Sequence, residues 1–180
     1  TNTATRLYRT FGTVSSQTAF TLSVWVKRSS TYHNDQNTTW QQIIAKGTGV
    51  SGGGAAFGFE SGGGTSGGLI NRDRIVWYGL KGSTGGTSGG DDRINGYFVD
   101  TNNWYHIVVR VDTSQSDAAD KIRYYVNGDL RTRVSTNALN GNLDNFHATE
   151  NVHNIGSNSA AQYGFGGYMA EFIYADGQSY

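Results

Sequence analysis

The 180-residue chain has no cysteine, no proline, a single methionine and no excess of charge of either sign. Without cysteine there is neither a disulfide framework nor a thiolate metal site, so stability must rest on the hydrophobic core. Lys plus Arg number 14, as do Asp plus Glu, and no basic tract occurs. That excludes the electrostatic footprint of non-specific nucleic-acid binding. No apolar run reaches membrane-spanning length, and the N-terminus lacks the charged-then-apolar layout of a signal peptide. For the missing proline no physical reason is evident. The first residue is Thr1 and the only methionine is Met169. The sequence therefore reads as a processed product or an excerpt of a longer polypeptide. Its length suits one domain with a proper core and is short for two.

What is present is alternation. Phe20, Leu22, Val24 and Val26 fall on one side of a strand, with Thr21, Ser23, Trp25 and Lys27 on the other. Tyr105, Ile107, Val109 and Val111 repeat the pattern, and Ile122, Tyr124 and Val126 repeat it again. Period two is what a sheet with one buried face requires. Asn127-Gly128 supplies the positive φ angles of a tight hairpin, which predicts a return strand over Leu130–Val134 with Arg131 and Arg133 on the polar face. Tyr168, Ala170, Phe172 and Tyr174 form one more apolar row, and Gln42–Ala45, Ala56–Phe59 and Arg74–Leu80 are further candidate strands. Helix signals are nearly absent, so the expectation is an all-β fold, an antiparallel β-sandwich. Its core should hold Phe20, Leu22, Val24, Ile107, Val109, Val111, Tyr124, Val126 and Phe172.

Three Gly/Ser/Thr tracts separate the strands: Gly47–Gly54, Ser61–Gly68 and Gly82–Gly90. They read as hairpin loops rich in positive-φ positions. A P-loop needs Gly-Lys-Ser/Thr opening a helix, and Rossmann glycines need a strand before and a helix after. Neither context exists here. Small residues would also let neighbouring copies pack closely.

Three segments carry a resemblance by their order: Phe20 to Arg28, Asn103 to Asp112, and Ile122 to Gly128. The set resembles laminin-G-like domains of the concanavalin A-like lectin/glucanase superfamily. Tyr8-Arg9-Thr10-Phe11-Gly12 near the start, and Gly166-Gly167-Tyr168-Met169-Ala170-Glu171-Phe172 with Asp176-Gly177-Gln178 near the end, extend it. With these ends the chain is similar to laminin-G-like domains of marine tailed-phage structural proteins, over residues 8 to 178. The resemblance implies a jelly-roll β-sandwich, with residues 1–15 as an N-terminal arm and first edge strand. Residues 16–180 would be a single domain of a longer chain. It implies a non-enzymatic virion component, a capsid decoration or tail-fibre adhesion domain located on the capsid surface or tail. A chain free of cysteine suits assembly in a reducing cytoplasm followed by life outside. Implied partners are further copies of itself, other virion proteins and host-surface glycans, with no nucleic acid and no membrane insertion. The alternative is a free or cell-surface carbohydrate-binding module in an extracellular setting. A divergent glycoside hydrolase comes last.

The hydrolytic branch of the superfamily carries a Glu-x-Asp-x-x-Glu pattern, because one carboxyl must protonate the leaving oxygen while another attacks or activates water. Here only Glu60, Glu150 and Glu171 exist, none with an acidic neighbour two or three residues away. No Ser occupies a Gly-x-Ser-x-Gly elbow. His106 reads as a sheet histidine bonded across to a neighbour. His147 and His153 read as loop histidines without a further ligand set. No cofactor is expected. Calcium stays open through Asp91-Asp92, Asp112, Asp117, Asp120 and Asp144, none with a spaced ligand pattern.

Sugar binding needs aromatic faces beside amides and carboxylates. Tyr32, Asn34, Asp35, Asn37 and Trp40 offer that mixture in one loop, and Gln162 and Tyr163 offer it before the last strand. These seven are the candidate glycan contacts. Read singly, Trp40 and Phe165 instead cover the edge of the sandwich. Asn37-Thr38-Thr39 also matches a glycosylation sequon, as chance allows in a chain this rich in Asn and Thr.

Overall fold

The computed structural model describes residues 5–30, 40–47, 54–61, 72–80, 92–134, 146–147 and 151–180. Eleven strands follow in chain order: β1 (Leu7–Thr10), β2 (Ala19–Arg28), β3 (Trp40–Lys46), β4 (Ala55–Ser61), β5 (Arg72–Tyr78), β6 (Asp92–Arg93), β7 (Tyr105–Asp112), β8 (Ile122–Val126), β9 (Asp129–Arg131), β10 (Val152–Ile155) and β11 (Gly167–Asp176). They form a six-stranded sheet, β1-β10-β3-β4-β5-β6, and a five-stranded sheet, β11-β2-β7-β8-β9. Every strand pair is antiparallel, and no helix occurs among the described residues. The fold is the all-β antiparallel sandwich expected from the alternation, in the jelly-roll form that the resemblance implies.

The register follows the hydrophobic pattern. Phe20 lies opposite Val111, Leu22 opposite Val109 and Val24 opposite Ile107. Val109 in turn faces Tyr124. These side chains are 0% exposed and meet Ile43, Phe57, Phe59, Ile75 and Trp77 of the six-stranded sheet. Burying each large apolar side chain contributes roughly 1.5–3 kcal/mol, so this interface dominates stability. Asn127 and Gly128 take φ of 55° and 87°, the conformation of a two-residue hairpin. Beside the irregular register of β3 and β4, a Cβ on Gly58 would sit 2.0 Å from the Gln41 carbonyl oxygen of the neighbouring strand, which leaves glycine as the fitting residue.

Four expectations need correction. The return strand is β9 alone: Leu130 and Val134 are 58% and 46% exposed, while Arg131 lies opposite buried Tyr124. Arg131 and Arg133 are thus on the less exposed side. After β9 the chain crosses to the other sheet. Val134 N donates to Arg93 O, Asn95 N donates to Thr132 O, and Arg133 pairs with Asp92 through Nε–Oδ1 at 3.0 Å. A cross-sheet ion pair needs its arginine turned inward. The row Tyr168, Ala170, Phe172, Tyr174 is broken by a bulge between Ala170 and Ile173, with Glu171 at φ 50°. Met169 and Tyr174 lie beside inward-facing Val26 and Leu22, whereas Ala170 lies beside outward-facing Trp25. Phe172 is half-buried against the core rather than within it. Finally, His153 is in strand β10, not in a loop.

Candidate functional site

Tyr32, Asn34, Asp35 and Asn37 lie outside the described residues, as does the sequon. Trp40 opens β3, is 7% exposed and meets Tyr78 edge-on at 6.0 Å. An indole so enclosed offers no free face to a sugar, so Trp40 belongs to the packing and leaves the glycan-contact set. Gln162 is exposed and Tyr163 half-buried, in a loop that Asn158 organises. Asn158 Oδ1 accepts from the Ala160 and Gln162 amides, and Arg6 Nη1 donates to the Ser159 carbonyl at 2.5 Å. Gln42 N donates to the Tyr163 carbonyl at 2.9 Å, which seats this loop on β3 beside Trp40. Phe165 packs on the core, 6.3 Å from Phe59. His106 is bonded across the sheet as expected, Nε2 to Ser23 Oγ at 2.9 Å.

The structure opens elsewhere. One side of the sandwich is sealed by the Asp92–Arg133 pair, but between β1 and β11 the sheets part into a cleft of about 500 Å³. Arg9 and the segment 11–14 form one wall, Phe172, Tyr174 and Asp176 the other, and Ile44, His153 and Ile155 the base. β1 is short and outermost, and among the described residues the arm from Phe11 to Val14 spans the gap. Arg9 is exposed and has no ion-pair partner among the described residues.

Beneath the cleft lies a chain of polar contacts. Asp176 Oδ2 accepts from Ser15 N at 2.6 Å, and Oδ1 lies 3.0 Å from His147 Nε2. Tyr174 OH lies 2.8 Å from His147 Nδ1. The consistent arrangement is a neutral imidazole that carries its proton at Nε2, beside the Asp176 carboxylate, and accepts the tyrosine proton at Nδ1. Burial lowers the His147 pKa despite the opposing charge of Asp176. Burial, with Asp176 adding to it, pushes Tyr174 well above its ordinary value, so the phenol keeps its proton and is no nucleophile. Among the described residues Asp176 is the one carboxylate lining the cleft, and it already accepts from Ser15 N. Among the described residues no group of three or more His, Asp or Glu could hold a metal ion. The arrangement can bind, and it lacks the paired carboxylates of glycoside hydrolysis.

His153 stacks on Phe11 at 3.8 Å and is 2% exposed. Burial lowers its pKa to about 4, although contacts with the Phe146 and Asn151 carbonyls favour the charged form. An unfolded histidine titrates near 6.5, so between these values the unfolded chain holds a proton the native one lacks. Stability is therefore full above about pH 6.5 and falls as pH drops, by about 3 kcal/mol at pH 4 from this group. His147 acts in the same direction. Denaturant midpoints measured from pH 7 to pH 4 should show this fall, and His153→Gln should flatten it. A midpoint independent of pH over that window would refute the assignment.

The cleft joins the two ends of the chain, which sequence spacing does not reveal. Its only trace was that Arg9-Thr10-Phe11-Gly12 and Asp176-Gly177 lie in segments singled out for resemblance. The model of the concanavalin A-like lectin/glucanases superfamily matches residues 3–176. The chain belongs to this superfamily. No curated protein sequence matches it. Among solved structures, the superfamily domain is similar to the botulinum neurotoxin type G receptor binding domain, with TM-score 0.51 and 14% identity over 99% of this chain and 43% of that one. The chain thus spans less than half of that structure. It is similar also to the CBM40 of a Ruminococcus gnavus IT-sialidase bound to α2,3 sialyllactose, with TM-score 0.51 and 14% identity over 89% of this chain and 76% of that one. A second structure of that CBM40 gives TM-score 0.50 at 12% identity, over 93% and 91%. At such identities the likeness is one of fold.

Proposed function

We propose that the domain binds glycans without catalysis, as a many-copy adhesion or decoration element of a phage-like virion. The observation that carries the glycan reading is the cleft, which brings the rings of Phe11, Phe172 and Tyr174 together with Arg9 and Thr13 beside a single engaged carboxylate. Ring faces suit the C–H surface of a pyranose, and the guanidinium and hydroxyl suit its oxygens. The fold likeness to a sialyllactose-bound module supports the same ligand class. The virion setting rests on the phage-type order of motifs. An extracellular carbohydrate-binding module is the alternative, and co-sedimentation of the full-length protein with particles separates the two. A ring stacked on a sugar contributes on the order of 1 kcal/mol, so one site is weak and useful adhesion needs many copies.

The test is a glycan array probed with multivalent protein, comparing the parent with Arg9→Ala, Thr13→Ala. Both substitutions lie at the rim, and the double variant should lose about tenfold or more of its signal while remaining folded. Equal binding would remove the cleft. No binding by the parent would leave a purely structural particle protein. No turnover of a glucan panel is expected, and a chelator should leave binding unchanged.

A further inference from the structure

We infer that the outer face of the five-stranded sheet carries a second saccharide-binding surface, built on Trp25, Trp104 and Tyr168 around Lys27. It shares its ligand class with the proposed function and is otherwise independent of the cleft. Two of the segments that carry the family resemblance, and the closing Gly166–Phe172 segment that extends it, place their inward residues in or against the core: Val24 and Val26, Tyr105 and Ile107, Met169. Their outward residues do nothing for the core and converge on one patch. In register, Lys27 lies opposite Tyr168, and Trp25 lies between Ala170 on β11 and His106 on β7. Tyr105 faces Val26, so Trp104 falls beside Lys27. Trp25, Trp104 and Tyr168 are 36%, 40% and 65% exposed.

The indole of Trp25 is held by a stacked partner and stays partly exposed. His106 stacks on it at 4.7 Å with an interplanar angle of 16°. That imidazole is itself fixed by Ser23 Oγ at 2.9 Å, while its backbone amide donates to Asn127 Oδ1 at 2.8 Å. On the other side stands Ala170, a small neighbour, and Trp25 keeps 36% of its surface exposed. Next to it Glu171 is exposed in a bulge with φ of 50°, a left-handed conformation that an L-residue holds only against strain. Lys27 makes no ion pair among the described residues, although Asp100 lies within its electrostatic reach. A preformed ring face, a free ammonium and a carboxylate at the margin are the parts a saccharide uses.

Size decides against a second copy of the chain. Three strands span roughly 10 Å, which accommodates one or two pyranose rings. A stable protein interface needs about 800 Å² from each partner, far more than this cluster.

Tryptophan fluorescence tests the inference, because Trp40 and Trp77 are 7% and 0% exposed and no tryptophan lines the cleft. The probes are soluble forms of the glycans retained on the array, with chitohexaose and sialyllactose fixed in the panel. Binding at the sheet face should shield Trp25 and Trp104 from acrylamide quenching, and Arg9→Ala, Thr13→Ala should leave that shielding intact. Trp25→Ala should weaken it about tenfold, and Tyr168→Ser, at an exposed position with little bearing on folding, about fivefold. Glycan binding without shielding, sensitive only to Arg9, would overturn the sheet-face site and leave the cleft standing. Shielding that persists when Arg9 and Thr13 are removed supports it even if the cleft proves empty. Self-association that Tyr168→Ser abolishes, with no shielding by any probe, would overturn it in favour of a contact between copies.

Discussion

Val109→Asp should leave no folded domain. Val109 is 0% exposed on β7, in the middle of the five-stranded sheet, with Leu22 and Tyr124 as its cross-strand neighbours. The opposite sheet meets it with aromatic and aliphatic side chains only. A carboxylate there would lose its hydration with no partner, and protonation would still leave a polar group without a hydrogen bond. The combined loss of apolar burial and of hydration is several kcal/mol, a large part of the roughly 5–15 kcal/mol that holds a domain together. Val109→Ala, which only trims the side chain, should remain folded and lose about 2 kcal/mol. Far-ultraviolet circular dichroism and a denaturant titration check both. An Asp variant as stable as the parent would mean that β7 presents its other face to the core.

β2, β7 and β8 were legible for a physical reason. Each buries one face and wets the other, so period two is written directly into Phe20 to Val26, Tyr105 to Val111 and Ile122 to Val126. β3 was harder because Trp40 to Ala45 are all buried, and a strand covered on both faces does not alternate. β11 was mis-phased because a bulge at Glu171 shifts the faces by one residue, and nothing in Met-Ala-Glu-Phe announces it. The β9 segment was mis-phased because Arg133 spends its charge on buried Asp92, which inverts the usual rule that arginine faces water. In the site, composition found aromatic and amide mixtures but could not tell a buried ring such as Trp40 from a free one. The cleft needs the two chain ends side by side, and only topology provides that.

Arg28→Ala should destabilise the domain by about 3–5 kcal/mol, the largest effect expected from a single polar side chain here. Arg28 continues the inward row of Phe20, Leu22, Val24 and Val26, and it is fully buried. From β2 of the five-stranded sheet its guanidinium reaches across to the six-stranded one. Nη2 lies 2.8 Å from Asp73 Oδ1, Nη1 donates to the Phe98 carbonyl at 2.7 Å, and Nε donates to Gln41 Oε1 at 3.1 Å. The plane lies over the Phe59 ring, 4.4 Å from its centroid. Burial lowers the arginine's pKa while Asp73 pulls it back. Removal of the arginine leaves Asp73, 7% exposed and on β5 of the opposite sheet, as a buried charge without its partner. That orphaned charge, more than the lost attraction, accounts for the size of the effect. Arg28→Lys should recover little, since an ammonium cannot reach three acceptors in one plane while stacking on Phe59. Arg28→Met with Asp73→Asn should recover most of the loss by removing both charges and filling the space. Urea titrations of the four proteins measure the coupling, and Arg28→Ala that loses less than about 1 kcal/mol would show that the pair does not hold the two sheets together.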